Sequence, residues 1–246
     1  MITAWSPSKL EKYETCPLKC KLETVDKLCP ICFAGGLKGW EPQICTKCGG
    51  SPPVGEALTR GARLHKAAED YISGRVAAPD DALDPVVPWL EKYRAGYRKA
   101  LVRLEVELAL TKDWKVTGWF AKNCWLRCKI DVQDMMKKTT WGVADWKTGK
   151  YKPDGEFSDQ LNIYSTALMS AFDIPKSVES KLIFIDAGKE VERPEGEVKR
   201  KDLAKAQKRW EQRTKAMLSD TIFPPKPNYG CRWCPFSKTK GGPCVY

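Results

Sequence analysis

The stretch CKIDVQDMMKKTTWGVADWKTGK, residues 128–150, decides how this chain is read. If WGVADWK is a strand, its two-residue period puts Asp145 and Lys147 on one face, so a carboxylate and an ammonium project side by side. Asp131, in the acidic run CKIDVQD, can bring a second carboxylate from the neighbouring strand. Two carboxylates suit a hard cation such as Mg²⁺ or Mn²⁺, and a nearby lysine can orient water or steady charge developing on a phosphate. That is a phosphodiester-cleaving arrangement in outline. Taken alone, a three-residue D-x-K also arises by chance, and charged strand ends are often merely solvated.

Composition narrows the class. At 246 residues the chain can bury a core as one large domain or one domain with an insertion, and 42% hydrophobic content argues against disorder. Lys and Arg outnumber Asp and Glu by 42 to 31, a formal charge of +11 that favours a polyanionic partner. MITAWSPSKL has no apolar signal core, and no run approaches the roughly 18 apolar residues of a membrane span. The expectation is an intracellular, cytoplasmic protein (nucleoid, or host-cell cytoplasm for a viral chain) with no membrane partner. Eleven cysteines in that setting stay reduced, so close spacings read as metal ligation in preference to disulfides.

Upstream of the deciding stretch, RLEVELALT (103–111) alternates as a half-buried strand, with Glu105 and Glu107 sharing its polar face. KVTGWF (115–120) reads as a further strand. Ahead of these, GEALTRGARLHKAAEDYISG (55–74) is helical by pattern and carries His65, the only histidine. A histidine in a helix is more often structural than a ligand. A second helix is expected from Asp84 to about Val102, with Trp89, Tyr93, Tyr97 and Leu101 at four-residue steps. Downstream, EFSDQLNIYSTALMSAFD (156–173) returns to helix with Ser158 as N-cap, and Gln160 and Tyr164 stack on one face. VESKLIFIDAG reads as a buried strand. KRKDLAKAQKRWEQRTKAMLSD (199–220) reads as a basic helix, either a solvated face or a surface that tracks phosphates.

The two ends are rich in cysteine. Ser6-Pro7 caps a helix over KLEKYETCPLKCKLETVD that bends or breaks at Pro17, next to Cys16. Residues 27–53 hold CPIC (Cys29, Cys32) and CTKC (Cys45, Cys48) with twelve residues between, the pattern of a four-thiolate zinc ribbon. So short a segment folds with its metal, as an insertion between two helices that exits through Gly49-Gly50 and Pro52-Pro53. Phe33 and Trp40 in it could stabilise the ribbon, grip DNA or dock a partner. The tail, 225–246, carries Cys231, Cys234 and Cys244, which need a fourth thiolate from Cys16 or Cys20. Cys124 and Cys128 lie on a strand pattern and read as packing residues.

Together these stretches resemble the RecB-like branch of the PD-(D/E)xK nuclease superfamily, which includes the AddB nuclease and the CRISPR-associated Cas-type exonucleases. SPSKLEKYETCP resembles the family's opening helix, RGARLHKAAEDYISG its histidine segment, KID and ADWKTGK its core motif, and DQLNIY its Q-x-x-x-Y helix. The resemblance implies an α/β fold: a restriction-endonuclease-like mixed central sheet flanked by helices, with a helical N-terminal part, the inserted ribbon and a cysteine-rich tail. It implies a single nuclease domain over 1–246, with the ribbon at 27–53, the catalytic sheet and helix at 104–185, and a cluster-binding tail at 225–246 packed on the first helix. Carried over by position, His65, Asp131, Asp145 and the Trp146 main-chain carbonyl hold Mg²⁺ or Mn²⁺. Lys147 activates or positions water, Glu107 matches an upstream acidic residue, and Gln160 and Tyr164 contact the substrate strand or brace the site.

The resemblance further implies that Cys16, Cys231, Cys234 and Cys244 hold a 4Fe-4S cluster, although four thiolates also fit zinc. The chain departs from the family pattern in having Cys128 where a glycine is usual three residues before Asp131, and nine residues between Cys234 and Cys244. The implied activity is that of a DNA exonuclease in recombination, repair or DNA processing, on single strands or free ends, with recombination or processing proteins as partners. The competing expectation is a catalytically inactive nucleic-acid-binding subunit, and a third is a purely structural metalloprotein.

Overall fold

The structure, a computed structural model, describes residues 2–35, 45–50, 56–151, 158–192 and 196–246, with backbone alone at 56–58, 158, 191 and 192. Trp40, Pro52-Pro53 and most of the segment between the two cysteine knuckles lie outside these residues, as does the side chain of Ser158. The chain forms two compact units, Glu56–Glu211 and Met1–Gly55 with Gln212–Tyr246.

The first unit is built on a six-stranded mixed sheet in the order β1-β2-β3-β4-β5, with β6 pairing β4. β1 (Val102–Leu110), β2 (Leu126–Asp134) and β3 (Thr140–Lys147) run antiparallel in turn. β3 and β4 (Ser177–Phe184) are parallel, which demands a crossover, and α5 (Ser158–Ala171) supplies it. β5 (Lys189–Glu192) and β6 (Val198–Lys199) both pair antiparallel with β4. On the face opposite α5, α3 (Glu56–Ser73) and α4 (Val87–Arg98) bury Leu64, Ile72, Leu90 and Tyr93 against Val132, Ala144, Trp146 and Ile183. The two-residue period of β3 therefore sends Ala144 and Trp146 into that core, and Asp145 and Lys147 towards α5. The mixed α/β sheet flanked by helices has the expected architecture.

Some expected elements differ in extent. The segment 84–102 is not one helix: a 3₁₀ turn, Asp81–Val86, precedes α4, which stops at Arg98. Pro85 and a proline in the first turn of α4 break the chain there, and Ala100 adopts a left-handed φ of 57° before β1 begins. Tyr97 and Leu101 are consequently exposed. KVTGWF is not a strand. Only Val116 bridges to Leu110, and the rest folds into turns in which the Ala121 amide donates to the Gly118 carbonyl.

In the second unit, α1 (Pro7–Thr15) and α2 (Pro17–Thr24) are separate helices. Ser6 caps α1 through the Lys9 amide, and Cys16, extended at φ −160°, ends α1 and starts α2 because Pro17 lacks the donor to continue it. The C-terminal segment straps this pair. The Arg213 guanidinium donates to both Glu14 oxygens at 2.7 and 2.8 Å, Tyr13 donates to Asp220 at 2.7 Å, and Asn228 donates to the Thr15 carbonyl at 3.1 Å. Helix α6 (Leu203–Ser219) straddles the division between the units, which falls after Glu211. Among the described residues no helix is long and apolar enough to cross a membrane.

Candidate active site

The site forms where β2 and β3 stop pairing. Their ladder runs Asp134↔Gly142, Gln133↔Val143 and Val132↔Ala144, and the next rung would set Asp131 directly against Asp145. Like charges opposite one another are destabilising, and the strands part there. The Trp146 amide freed by the parting donates to Asp131 Oδ2 at 3.0 Å, so no backbone donor is stranded. His65 reaches in from α3 and places Nδ1 3.2 Å from the same oxygen.

Around Asp145 the polar atoms form a closed set. Lys147 Nζ lies 2.6 Å from Asp145 Oδ2 and donates to Gln160 Oε1 at 3.0 Å. Gln160 Nε2 donates to Asp145 Oδ1 at 3.1 Å and to the Tyr164 hydroxyl at 2.9 Å. Gln160 and Tyr164, one turn apart on α5, thus orient one carboxylate and one ammonium. Burial raises the pKa of Asp145, the Asp131 charge adds to the rise, and Lys147 opposes it. His65 is raised as well: burial disfavours its charged form, but the hydrogen bond and charge of Asp131 outweigh it. Burial and the Asp145 charge hold the Tyr164 hydroxyl well above its ordinary range, so it stays protonated.

The donor set fits a hard divalent cation. Asp145 Oδ2 is buried with the Lys147 ammonium 2.6 Å away and no aligned hydrogen bond, so this carboxylate is already turned towards positive charge. Asp131, Asp145 and the His65 imidazole supply oxygen and nitrogen ligands of the kind such an ion takes.

The structure brings His65, Asp131, Asp145, Lys147, Gln160 and Tyr164 together, and leaves Glu107 outside this network. Glu107 is exposed and pairs in the ladder with Lys129. It is Glu105 that falls opposite Asp131, at a rung missing from the β1–β2 ladder; its φ is 49° and its carboxylate turns to Lys129 Nζ at 2.6 Å. Trp146 contributes its amide to Asp131, and its buried indole packs edge-on against Tyr93. One feature the sequence did not signal is Asp186, which accepts from Arg60 on α3 (3.0 Å to Nη1) and from the Gly149 amide just beyond Lys147. Its partners lie 126 and 37 residues away, so no local pattern marks the contact.

Residues 4–239 match the family described as the PD-(D/E)XK nuclease superfamily. The chain belongs to the PD-(D/E)XK nuclease superfamily. A solved structure titled "Crystal structure of SSO0001" is 15% identical, with an alignment covering 72% of this chain and 94% of that one. Its TM-score of 0.31 is too low to bear on fold or function. No curated protein matches. Members of this nuclease superfamily work with divalent metals, in keeping with the donor set at Asp131 and Asp145.

The second unit has two cysteine groups. The sulfurs of Cys29, Cys32, Cys45 and Cys48 all lie within 4.8 Å of one another, with Cys32 and Cys45 3.7 Å apart and Cys29 and Cys48 4.0 Å apart. A zinc tetrahedron with bonds of about 2.3 Å has edges of about 3.8 Å, so this cluster fits a zinc ribbon. Amides of Cys48 and Lys47 lower the Cys45 thiol to about 6. The Gly50 amide favours a Cys48 thiolate, but the neighbouring sulfurs and burial outweigh it and push Cys48 up to about 12. Cys16, Cys231, Cys234 and Cys244 line one cavity of about 60 Å³. Cys20 is buried elsewhere, its sulfur 3.6 Å from the Lys9 carbonyl. Cys124 and Cys128 are buried as packing residues.

Proposed function

We propose that this chain is a DNA exonuclease of the RecB-like branch, acting on single strands or free ends in recombination, repair or DNA processing. The observation that carries this reading is the parting of β2 and β3 at two facing aspartates, with Lys147 held 2.6 Å from one of them. His65, Asp131, Asp145 and the Trp146 carbonyl would hold Mg²⁺ or Mn²⁺, which supplies Lewis-acid stabilisation of charge on the scissile phosphate. Lys147, kept in place by Asp145 and Gln160, orients the attacking water and offsets negative charge. Gln160 and Tyr164 fix the direction of the Asp145 carboxylate and meet the substrate strand. The formal charge of +11 supports a polyanionic substrate.

The cavity lined by Cys16, Cys231, Cys234 and Cys244 is proposed to hold a 4Fe-4S cluster. Four cysteines around one cavity supply the thiolate ligands that such a cluster takes. Such a group joins α1 and α2 to the C-terminal tail across most of the chain.

End-labelled linear and circular DNA, single- and double-stranded, incubated with Mg²⁺ or Mn²⁺, tests the reading. Linear DNA is degraded from its ends, circles survive, and Asp145→Ala is inert with its zinc content unchanged. Cleavage of circles would remove the exonuclease assignment, and full activity in Asp145→Ala would remove the site.

A further inference from the structure

The β1–β2 connection, Thr111–Trp125, is long for a hairpin and, with the first residues of β2, has an unusual surface. Trp114 and Trp125 are buried and meet edge-on with centroids 5.3 Å apart, and the Trp114 indole donates to Glu211 at 2.8 Å. On that anchor the loop is held by its own bonds: the Thr117 hydroxyl donates to Asn123 Oδ1 at 2.8 Å, and Arg127 Nε donates to the Trp119 carbonyl at 2.8 Å. At the tip Phe120 is 87% exposed and Val116 61%. The Arg127 guanidinium lies 5.7 Å from the Trp119 ring centre and 5.8 Å from that of Phe120.

Folding does not account for an ordered phenylalanine so far out of the core. The charge around it points to its partner. The connection carries Lys112, Lys115 and Lys122, with Arg127 at the start of β2, against a single acid, Asp113. The three lysines are exposed and have no ion-pair partner among the described residues. A flat aromatic ring bordered by unpaired cations is the arrangement that takes bases by stacking and their phosphates by charge.

Its position relates it to the site. β1 and β3 both run antiparallel to β2, so the end of β1 lies at the same end of the sheet as Lys147. From Leu126 to Asp131 is five residues along β2, or roughly 17 Å, about five base steps of a nucleic-acid strand.

We infer that the Thr111–Trp125 connection is a nucleic-acid wedge in which Phe120 stacks on an unpaired base of a single strand while Lys112, Lys115 and Lys122 hold its phosphates. This rests on the nuclease reading for its substrate class, but it concerns binding and is separable from cleavage.

The test uses the full zinc-loaded chain and a phosphorothioate-protected, fluorescently labelled single strand. Phe120→Ala weakens binding about 5- to 150-fold, the range for one lost base–aromatic stack, with the salt dependence unchanged. Phe120→Trp restores it. Replacing the three lysines by alanine makes the slope of log K against log salt shallower by about 2. An abasic strand binds wild type and Phe120→Ala equally weakly. Equal affinity of Phe120→Ala and wild type for the normal strand would overturn the wedge. So would undiminished binding of the abasic strand, or phosphatidylcholine vesicles captured by wild type and not by Phe120→Ala. Hydrolysis of bis(p-nitrophenyl) phosphate with Mn²⁺ reports the metal centre alone, and Phe120→Ala leaves it unchanged. If wild type hydrolyses neither this ester nor DNA yet binds through Phe120, the nuclease reading fails and the wedge stands.

Discussion

In the unit formed by residues 56–211, Leu64, Ile72, Leu90, Tyr93, Val132 and Ile183 close one apolar cluster between two helices and the sheet. The unit formed by 1–55 and 212–246 holds nine of the eleven cysteines: four cluster as a candidate zinc site, four line one cavity, and Cys20 stands apart. The first draws its stability from apolar area removed from water, at about 25 cal/mol per Å². The second also buries Trp5, Leu10, Met217 and Phe236, and adds a four-cysteine group that could contribute through ligation. The contrast leads to the expectation that the candidate active site and the cysteine regions are lost separately. The site sits on strands that the apolar core already holds.

The sharpest way to break this contrast is to remove a zinc ligand. Zinc binding to a structural site is worth on the order of 10 kcal/mol, so Cys45→Ser should lose its zinc in metal analysis and lose amide protection over residues 28–34. Cys231→Ser should keep zinc and lose the brown colour of an anaerobically purified protein. If either variant emptied both sites, the two groups would not be independent.

Next in size is the catalytic pair. Asp145→Ala and Lys147→Ala should each lower the rate of DNA cleavage by about 1,000-fold, measured in single turnover, with little change in melting temperature. Collapse of the fold in both variants would mean that the pair serves structure first. Leu90→Ala, at a fully buried position in the apolar cluster, should destabilise the sheet unit by about 3 kcal/mol in denaturant melts while zinc content holds. Loss of zinc in that variant would tie the two units together.

The smallest expected effect is a pH dependence at Asp186. The Arg60 hydrogen bond, aided by the Gly149 amide, holds this carboxyl below its ordinary value. A depressed folded value means the contribution is present above the unfolded value of about 3.9 and lost as pH falls through the folded one. The melting temperature of wild type should therefore exceed that of Asp186→Asn at neutral pH, and the gap should vanish in acid. A gap independent of pH would assign the contact to shape and not to charge.

Patterns within one element were legible from the residues alone. The alternation of VADWK fixes Asp145 and Lys147 on one face whatever the strand packs against, because the period is a property of the backbone. The four-residue step from Gln160 to Tyr164 and the two C-x-x-C knuckles are of the same kind. The turns of KVTGWF were not legible: alternation and β-propensity describe a strand only if a partner strand is available, and here just Val116 finds one.

The sequence alone therefore determined the chemical inventory and its local geometry: two aspartates and a lysine on strands, a histidine on a helix, and thiolates at metal-ligand spacing. Tertiary structure alone decided which of these meet. The ladder register carries β2 and β3 up to the rung where Asp131 and Asp145 would face each other, and the strands part there; it leaves Glu107 paired with Lys129, outside the network. The fold also brought Asp186 to Arg60 across 126 residues, and left Phe120 standing in solvent at the tip of a hairpin. Register and long-range contact depend on the packing of whole elements, and no stretch of chain carries that information by itself.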